Sequence, residues 1–402
     1  MNAGAAPLAG LRIVDFAQFV AGSYCTMMLG DLGADVLKVE LPDAGDPYRR
    51  QGPEFVGGEA TLFLALNRNK RGIALDWKRP EGKSVVARLL ESADVFVENA
   101  RPGALAKHGL DYKSLSKSYP HLIYCSLSGY GQTGPYAHRG GFDLILQGEG
   151  GLMSITGEDG GPPVKVGAPI LDIGAAMSGL VGILAALHQR ETGGRGMQVD
   201  VSLLDFSLAA LTTVAQSYFA SGQEPQRLGS ASPQFAPYQA FRTADQSITI
   251  AGTGNETLWG RLCRVIGRPE LIDDPRFRSN AERVARRDEL AAIVESVLIT
   301  RPHGEWLQMM EQEEIPAGPI NGLGALLADP HLRERQAVLA MGGDDRAAVS
   351  AVAAPLRLDG ATLPIRRYPP RLGEHTLEVL AELGYQRNEI ERLARGGAIT
   401  CP

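Results

Sequence analysis

Asp172 stands directly before the longest apolar run of the chain, within VKVGAPILDIGAAMSGLVGILAAL, residues 164–187. A carboxylate there has two uses: it can cap a helix N-terminus, the commoner role for Asp, or attack an acyl carbon as a nucleophile. These residues alone leave both open. A second group is cationic: Arg68, Lys70, Arg71, Lys78, Arg79 and Lys83 crowd NRNKRGIALDWKRPEGK, residues 67–83, around a predicted strand at 72–76. Such a run is either a solvated face or an anion site, since Lys and Arg serve phosphates by charge and by forked hydrogen bonds. A third group follows ADVFVE, a predicted strand at 93–98: Asn99 and Arg101 fall at its carboxyl end, where open α/β sheets collect ligands. Lys107 can reach the same crevice or lie on a helix surface. Arg139, after the glycine-rich GYGQTGPY of residues 129–136, is a further candidate phosphate partner.

The elements that must position these groups follow from hydropathy. Residues 173–187 are apolar all round and contain Ser178 and three glycines; His188, Gln189, Arg190, Gly193 and Gly194 follow. This predicts a buried helix with Asp172 as its N-cap, held ionised by the N–H groups and partial positive charge of the helix end. The run is shorter than the ~20 residues a membrane span needs. Residues 11–16, 21–32 and 34–40 predict a strand, helix, strand unit; 81–92 a helix; 121–128 and 197–203 strands; and 204–221 a helix. Glu40 imitates the ribose-binding acid of a dinucleotide fold, but the loop AQFVAG holds only Gly22, so NAD is disfavoured. Gly129, Gly131 and Gly134 match G-x-G-x-x-G by letter, yet Pro135 and AHRGG follow where an apolar helix should start.

At 402 residues the chain exceeds one typical core, and two domains are expected. Its 44% hydrophobic and 21% charged content is that of a globular protein, and a net charge of −6 argues against a nucleic-acid footprint. Cys25, Cys125, Cys263 and Cys401 are scattered without zinc-site spacing, so no metal is expected and a reducing cytoplasm fits. The N-terminus lacks an export signal, and no membrane attachment is expected. Residues 222–237 form a compositional break; 238–252 predict a hairpin, and 256–266, 281–299 and 303–313 predict helices. Together these make a small α+β unit. Residues 315–340 read as a connection, and the tail from Arg371 as an amphipathic helix docked on the first domain. The expected division is therefore 1–222, a linker at 223–237, a small domain at 238–325, and a linker with C-terminal return at 326–402.

Taken in order, PLAGLRIVDF, LGDLGADVLKVE, NRNKRGIALD, VENARPGAL, SLSGYGQTGPY, the Asp172 helix with TGGRGMQVDVSLLD behind it, PYQAF and LGEHT resemble the family III CoA-transferases, the group of formyl-CoA transferase and carnitine CoA-transferase. The resemblance spans nearly the whole chain. It implies an α/β fold: a large Rossmann-like domain built from both chain ends, a small α+β domain, and an interlocked homodimer. It also implies that Asp172 is the nucleophile, forming an aspartyl anhydride and then an aspartyl-CoA thioester, with no tightly bound cofactor. Acyl-CoA and small carboxylates would be the substrates. Coenzyme A would lie along the first domain against Gln18, Val20, Ala21, Leu75, Lys78, Asn99, Ala100, Arg101, Lys107 and Arg139; Lys107 stands where relatives often carry Arg. Oxyanion donors are expected from backbone N–H groups at the helix start or from a glycine loop.

GSASPQFAPYQAF, residues 229–241, is similar to the matching stretch of members acting on dicarboxylates, although Ser232 stands where relatives often carry His. Succinyl-CoA or another dicarboxylyl-CoA is the expected donor, with Arg49, Arg50 and Arg227 as candidates for a distal carboxylate. Two rivals remain. An α-methylacyl-CoA racemase would need the His of a G-H-D triplet, where this chain has GGFDL and Phe142. A non-catalytic CoA-binding protein would use Asp172 only as a cap.

Overall fold

A computed structural model describes residues 6–251, 255–343 and 345–401. Its internal contacts separate two compact units, drawn from Met1–Leu152, Val166–Gln216 and Pro330–Pro402, and from Met153–Lys165 and Ser217–Asp329. The division differs from the sequence expectation chiefly at Met153–Lys165, which groups with the smaller unit.

The larger unit is organised by six parallel strands: β1 (Arg12–Asp15), β2 (Asp35–Glu40), β3 (Lys70–Leu75), β4 (Val95–Glu98), β5 (Ile123–Ser128) and β6 (Gln198–Ser202). Their order across the sheet is 3-2-1-4-5-6, the doubly wound arrangement of dinucleotide-binding folds. Alternate side chains leave opposite faces, so Ile13, Val36, Val95 and Ile123 join one core while Val14, Leu37 and Phe96 join the other. The first face is covered by α1 (Ala21–Asp31) and by the Asp172 helix (Ile170–Gly193). The second is covered by Pro80–Glu91 and by two C-terminal helices, Thr376–Glu382 and Arg387–Arg395. Burial on both faces explains why these strands read as near-continuous apolar runs.

The tail returns as expected and adds one element: Ile399–Thr400 pairs antiparallel to β3 and closes that edge of the sheet. The Asp172 helix is longer than predicted, 24 residues, and by length and composition could cross a bilayer. In the structure it packs on α1, β5 and β6. A hairpin at Val338–Gly343 and Arg346–Val352 had no sequence forecast.

In the smaller unit, Tyr238–Arg242, Ser247–Ala251 and Ala317–Pro319 form a three-stranded antiparallel sheet. The third strand lies in a stretch expected to be only a connection. The helices Glu256–Val265, Arg287–Leu298 and His303–Gln312 pack around Trp259, Phe241 and Phe277. Gly252, the expected end of the hairpin, lies outside the described residues.

The first half of the cationic run is neither of the things the sequence offered, while its second half is a solvated face. Arg68, Lys70 and Arg71 are 3%, 0% and 5% exposed and bind Asp31, Asp15 and Asp35 at 2.7, 3.0 and 2.7 Å. They tie β3 to its neighbours; only Lys78, Arg79 and Lys83 of the six face solvent. A run of letters does not reveal that its first half enters a central strand whose partners already carry the counter-charges.

Because β1 and β4 are neighbours and the chain winds away from them in opposite directions, the sheet has its switch point there. Gly22, in the first turn of α1, keeps the β1 loop close: a Cβ at this position would stand 2.3 Å from the Ala17 Cβ. Gly22→Ala is expected to push residues 17–22 outward and cost about 1–3 kcal/mol, as overpacking does. Urea denaturation checks this, and unchanged stability would refute the close approach.

Candidate active site

At that switch point, beyond the carboxyl ends of β1, β4 and β5, lies a pocket of about 600 Å³. The β1 loop contributes Gln18, Phe19 and Ala21; the β4 loop contributes Asn99, Ala100, Arg101 and Pro102. The two loops are locked together: Asn99 Oδ1 accepts from the Gln18 N–H at 2.9 Å, and Asn99 Nδ2 donates to the Gln18 carbonyl at 2.6 Å. Tyr48 and Gln51 come from the segment after β2, Arg139 to Phe142 from the glycine-rich segment after β5, and Asp172 from its helix.

Asp172 is not the N-cap. The helix begins at Ile170, with Pro169 in the cap position and no side-chain cap bond, so Asp172 occupies the third helical position. The carboxylate that satisfies the helix end comes from elsewhere. Asp143, first residue of the short helix Asp143–Glu149, accepts from the Leu171 N–H at 2.8 Å and the Asp172 N–H at 3.3 Å. Gln147, one turn on, donates to the other Asp143 oxygen and accepts from the Val166 N–H at 2.8 Å. Two of the orphan amides are thereby used, which also withdraws them as oxyanion donors.

The expected ionised Asp172 is corrected too. Burial first, and the Asp143 charge second, push its pKa up to about 7. A carboxylate losing its water shell and facing another carboxylate is a stronger base than a surface Asp. Tyr48 is pushed upward by burial, then by Asp172 and Asp46, so its phenol stays protonated and can donate.

Of the residues expected at coenzyme A, Gln18, Ala21, Asn99, Ala100, Arg101 and Arg139 line the pocket with Asp172. Val20 does not: it is buried as the residue preceding α1. Leu75 is wholly buried at the end of β3, leaving its side chain no surface for a ligand. Lys78 and Lys107 are exposed and outside this pocket. Arg139 is held by Glu149 at 2.5 Å and lies over the Tyr130 and Tyr136 rings. Arg101 lies against Gly140, where a Cβ would come within 2.9 Å of its Nε.

The arginines suggested for a distal carboxylate are elsewhere. Arg49 binds Glu40 at 2.6 Å, Arg50 is exposed outside the pocket, and Arg227 belongs to the smaller unit, where it donates to the Ser154 carbonyl. Phe142 is 64% exposed at the pocket, its ring edge-on to Phe19 at 6.1 Å. It offers no proton for racemisation. Cys25 and Cys125 are buried and pushed up, Cys25 to about 12, so neither is a thiolate nucleophile. Among the described residues no cluster of three or more His, Cys, Asp or Glu could hold a metal ion.

Sequence reasoning missed Asp143, Tyr48 and Gln51. Asp143 sits beside the Phe142 that was singled out, but its partner amides lie almost thirty residues on, and nothing local announces them.

Comparison with known proteins bears on this pocket. The family model described as CoA-transferase family III matches residues 8–376. The chain is 41% identical over 394 residues to Succinyl-CoA:glutarate CoA-transferase of Mus musculus, covering 98% of this chain and 90% of that protein. It is also 41% identical over 394 residues to Succinate--glutarate CoA-transferase of Agrobacterium fabrum, covering 96% and 97%. Among solved structures, a CAIB/BAIF family protein from Brucella suis superposes with a TM-score of 0.83 at 39% identity, covering 94% of this chain and 99% of that one.

Proposed function

The chain belongs to CoA-transferase family III, and from that membership we propose that it moves coenzyme A between dicarboxylic acids, succinyl-CoA donating and a glutarate-like acid accepting, with Asp172 as the acyl carrier. The observation that carries this reading is the Asp172 carboxyl group itself, released from capping by Asp143 and lining the switch-point pocket. A non-catalytic protein using Asp172 as its cap loses its premise there.

In the proposed sequence an Asp172 oxygen adds to the thioester carbonyl, the C–S bond breaks, and the CoA thiolate departs, leaving a mixed anhydride. The thiolate then attacks the Asp172 carbonyl and the donor acid leaves as its carboxylate. The acceptor carboxylate attacks the resulting aspartyl-CoA thioester, expelling the thiolate to give a second anhydride. Thiolate attack on the acceptor's own carbonyl releases the new acyl-CoA and regenerates the Asp172 carboxylate. No water or net proton is consumed, and each step exchanges one acyl partner for another.

The pocket suits this chemistry. Phe19, Phe142, Leu127 and Leu203 give it an apolar lining of the kind that shields an anhydride from water once substrate fills the site. With the helix-end amides occupied, the Tyr48 phenol and the Gln18 and Gln51 carboxamides are among the side-chain donors available to the oxyanion. Arg101 supplies positive charge for the anionic parts of the substrates, whereas the charge of Arg139, which lines the same pocket, is already met by Glu149. A homodimer, interlocked as the resemblance implies, would cover apolar side chains now exposed, among them Val181 at 63% and Leu208 at 61%.

Purified protein incubated with succinyl-CoA and glutarate should yield glutaryl-CoA by mass, without net hydrolysis. Hydroxylamine added during turnover should modify the peptide bearing Asp172. Failure with every dicarboxylate, or rapid α-deuterium exchange in heavy water without transfer, would overturn this reading in favour of another acyl-CoA chemistry.

A further inference from the structure

We propose that Asp143 is a positioning residue for transfer: by taking the first amides of the Asp172 helix from outside that helix, it leaves the Asp172 carboxylate free to face substrate and governs when that carboxylate is reactive. The proposal rests on the assignment of Asp172 as nucleophile. The geometry has three parts. Asp143 Oδ2 accepts from Leu171 and Asp172, at 2.8 and 3.3 Å. Its other oxygen is tied by Gln147, whose carboxamide reaches on to the Val166 N–H at 2.8 Å. Asp172 itself makes no cap bond. The cap is thus supplied by a separate helix although the first turn of this one holds an Asp. Its consequence is a negative charge kept beside the nucleophile.

That charge acts on Asp172 in the same direction as burial, and the two together place its titration near neutrality. Tyr48 faces Asp172 from the segment after β2 and stays neutral. Arg139, from the β5 side of the pocket, is paired with Glu149. Arg101 lines the pocket from the β4 loop. On the packed elements, Asp31 of α1 is bound to Arg68, Asp200 of β6 accepts from the Gln132 N–H, and Asp205 of the following helix is exposed. Asp143 is the carboxylate whose charge raises Asp172. An ionised carboxylate of higher basicity is the better nucleophile toward a thioester, so Asp143, adding to burial, shifts both the fraction ionised and the rate of the ionised form.

The test separates charge from capping. Asp143→Asn keeps an oxygen that can accept from the amides, and Asp143→Ser offers a hydroxyl for the same purpose; both remove the charge. The pH profile of kcat/KM for succinyl-CoA with glutarate should move its acidic limb down by about one pH unit in whichever of these folds, with the plateau kcat reduced several-fold. Asp143→Glu, which retains the charge, should keep the limb near the wild-type position. Asp143→Ala should lose the cap as well and melt at a lower temperature. A wild-type limb in Asp143→Asn or Asp143→Ser overturns the proposal, as does an equal shift in Asp143→Glu. An inactive wild-type protein would instead sink the transfer reading itself.

Discussion

Asp172→Asn should abolish transfer, lowering kcat by about 10⁴-fold or more, and at the same time make the folded protein more stable at neutral and alkaline pH. The kinetic half follows from the covalent route proposed for Asp172. An amide cannot form the anhydride, and the remaining pocket can only bind. The stability half follows from the raised pKa. The folded-state value is about 7 against an ordinary 3.8. Between these two values the folded chain holds a proton that the unfolded chain has released. Wild-type stability therefore falls as pH rises from ~4 to ~7, and the full penalty remains above that. Asn pays no such charge penalty, so its advantage should be absent near pH 4 and reach about 2–4 kcal/mol by pH 8, less where water enters the pocket. Urea denaturation at pH 4.5 and pH 8, beside steady-state assays, reads both. Retained turnover would remove Asp172 from the mechanism, and a gain in stability independent of pH would remove the buried charge.

The pairing of lost activity with gained stability marks what was legible in the chain and what was not. Asp172 was visible because an Asp before a long apolar run is a local pattern. Its use was not legible from that pattern alone and came only with the family resemblance, because the competing role of cap is taken by Asp143, about thirty residues away in the chain. The strands from Arg12–Asp15 to Gln198–Ser202 were legible as apolar runs within a few residues of their ends. Their 3-2-1-4-5-6 order is set by long-range pairing and has no local trace. Leu75 shows the same limit from the other side: an expected ligand contact proves to be sheet core, because a position at the end of a strand can face either way. Lys70 and Arg71 read as surface from composition and as interior from pairing.

Lys38→Met should cost about 3–5 kcal/mol of stability and, in whatever fraction folds, weaken substrate binding although residue 38 touches no part of the pocket. Lys38 and Asp46 are both fully buried, and their charges meet at 2.9 Å. The same ammonium donates to the Ala17 carbonyl at 2.8 Å, while Asp46 accepts from the N–H groups of Tyr48 at 3.0 Å and Phe19 at 3.4 Å. One ion pair thus pins two segments that carry pocket residues: the β1 loop and the turn that presents Tyr48. Burial alone would drive Lys38 towards the neutral amine, but Asp46, Asp15 and Glu40 outweigh it and raise its pKa. The stabilisation is accordingly complete below the ordinary lysine pKa and is lost only as pH rises through the higher folded value, so it is fully present at pH 7. Met fills the volume but leaves Asp46 charged, buried and without its counter-ion, and that orphaned charge is the larger part of the cost. The second substitution Asp46→Asn, made in the Lys38→Met background, should recover part of the stability, since an amide can still accept from Tyr48 and Phe19 without a net charge. Thermal melts of the two variants, with KM for succinyl-CoA measured on the folded protein, test the pair. Equal stability of wild type and Lys38→Met would mean that the buried charges are not coupled as their 2.9 Å separation requires.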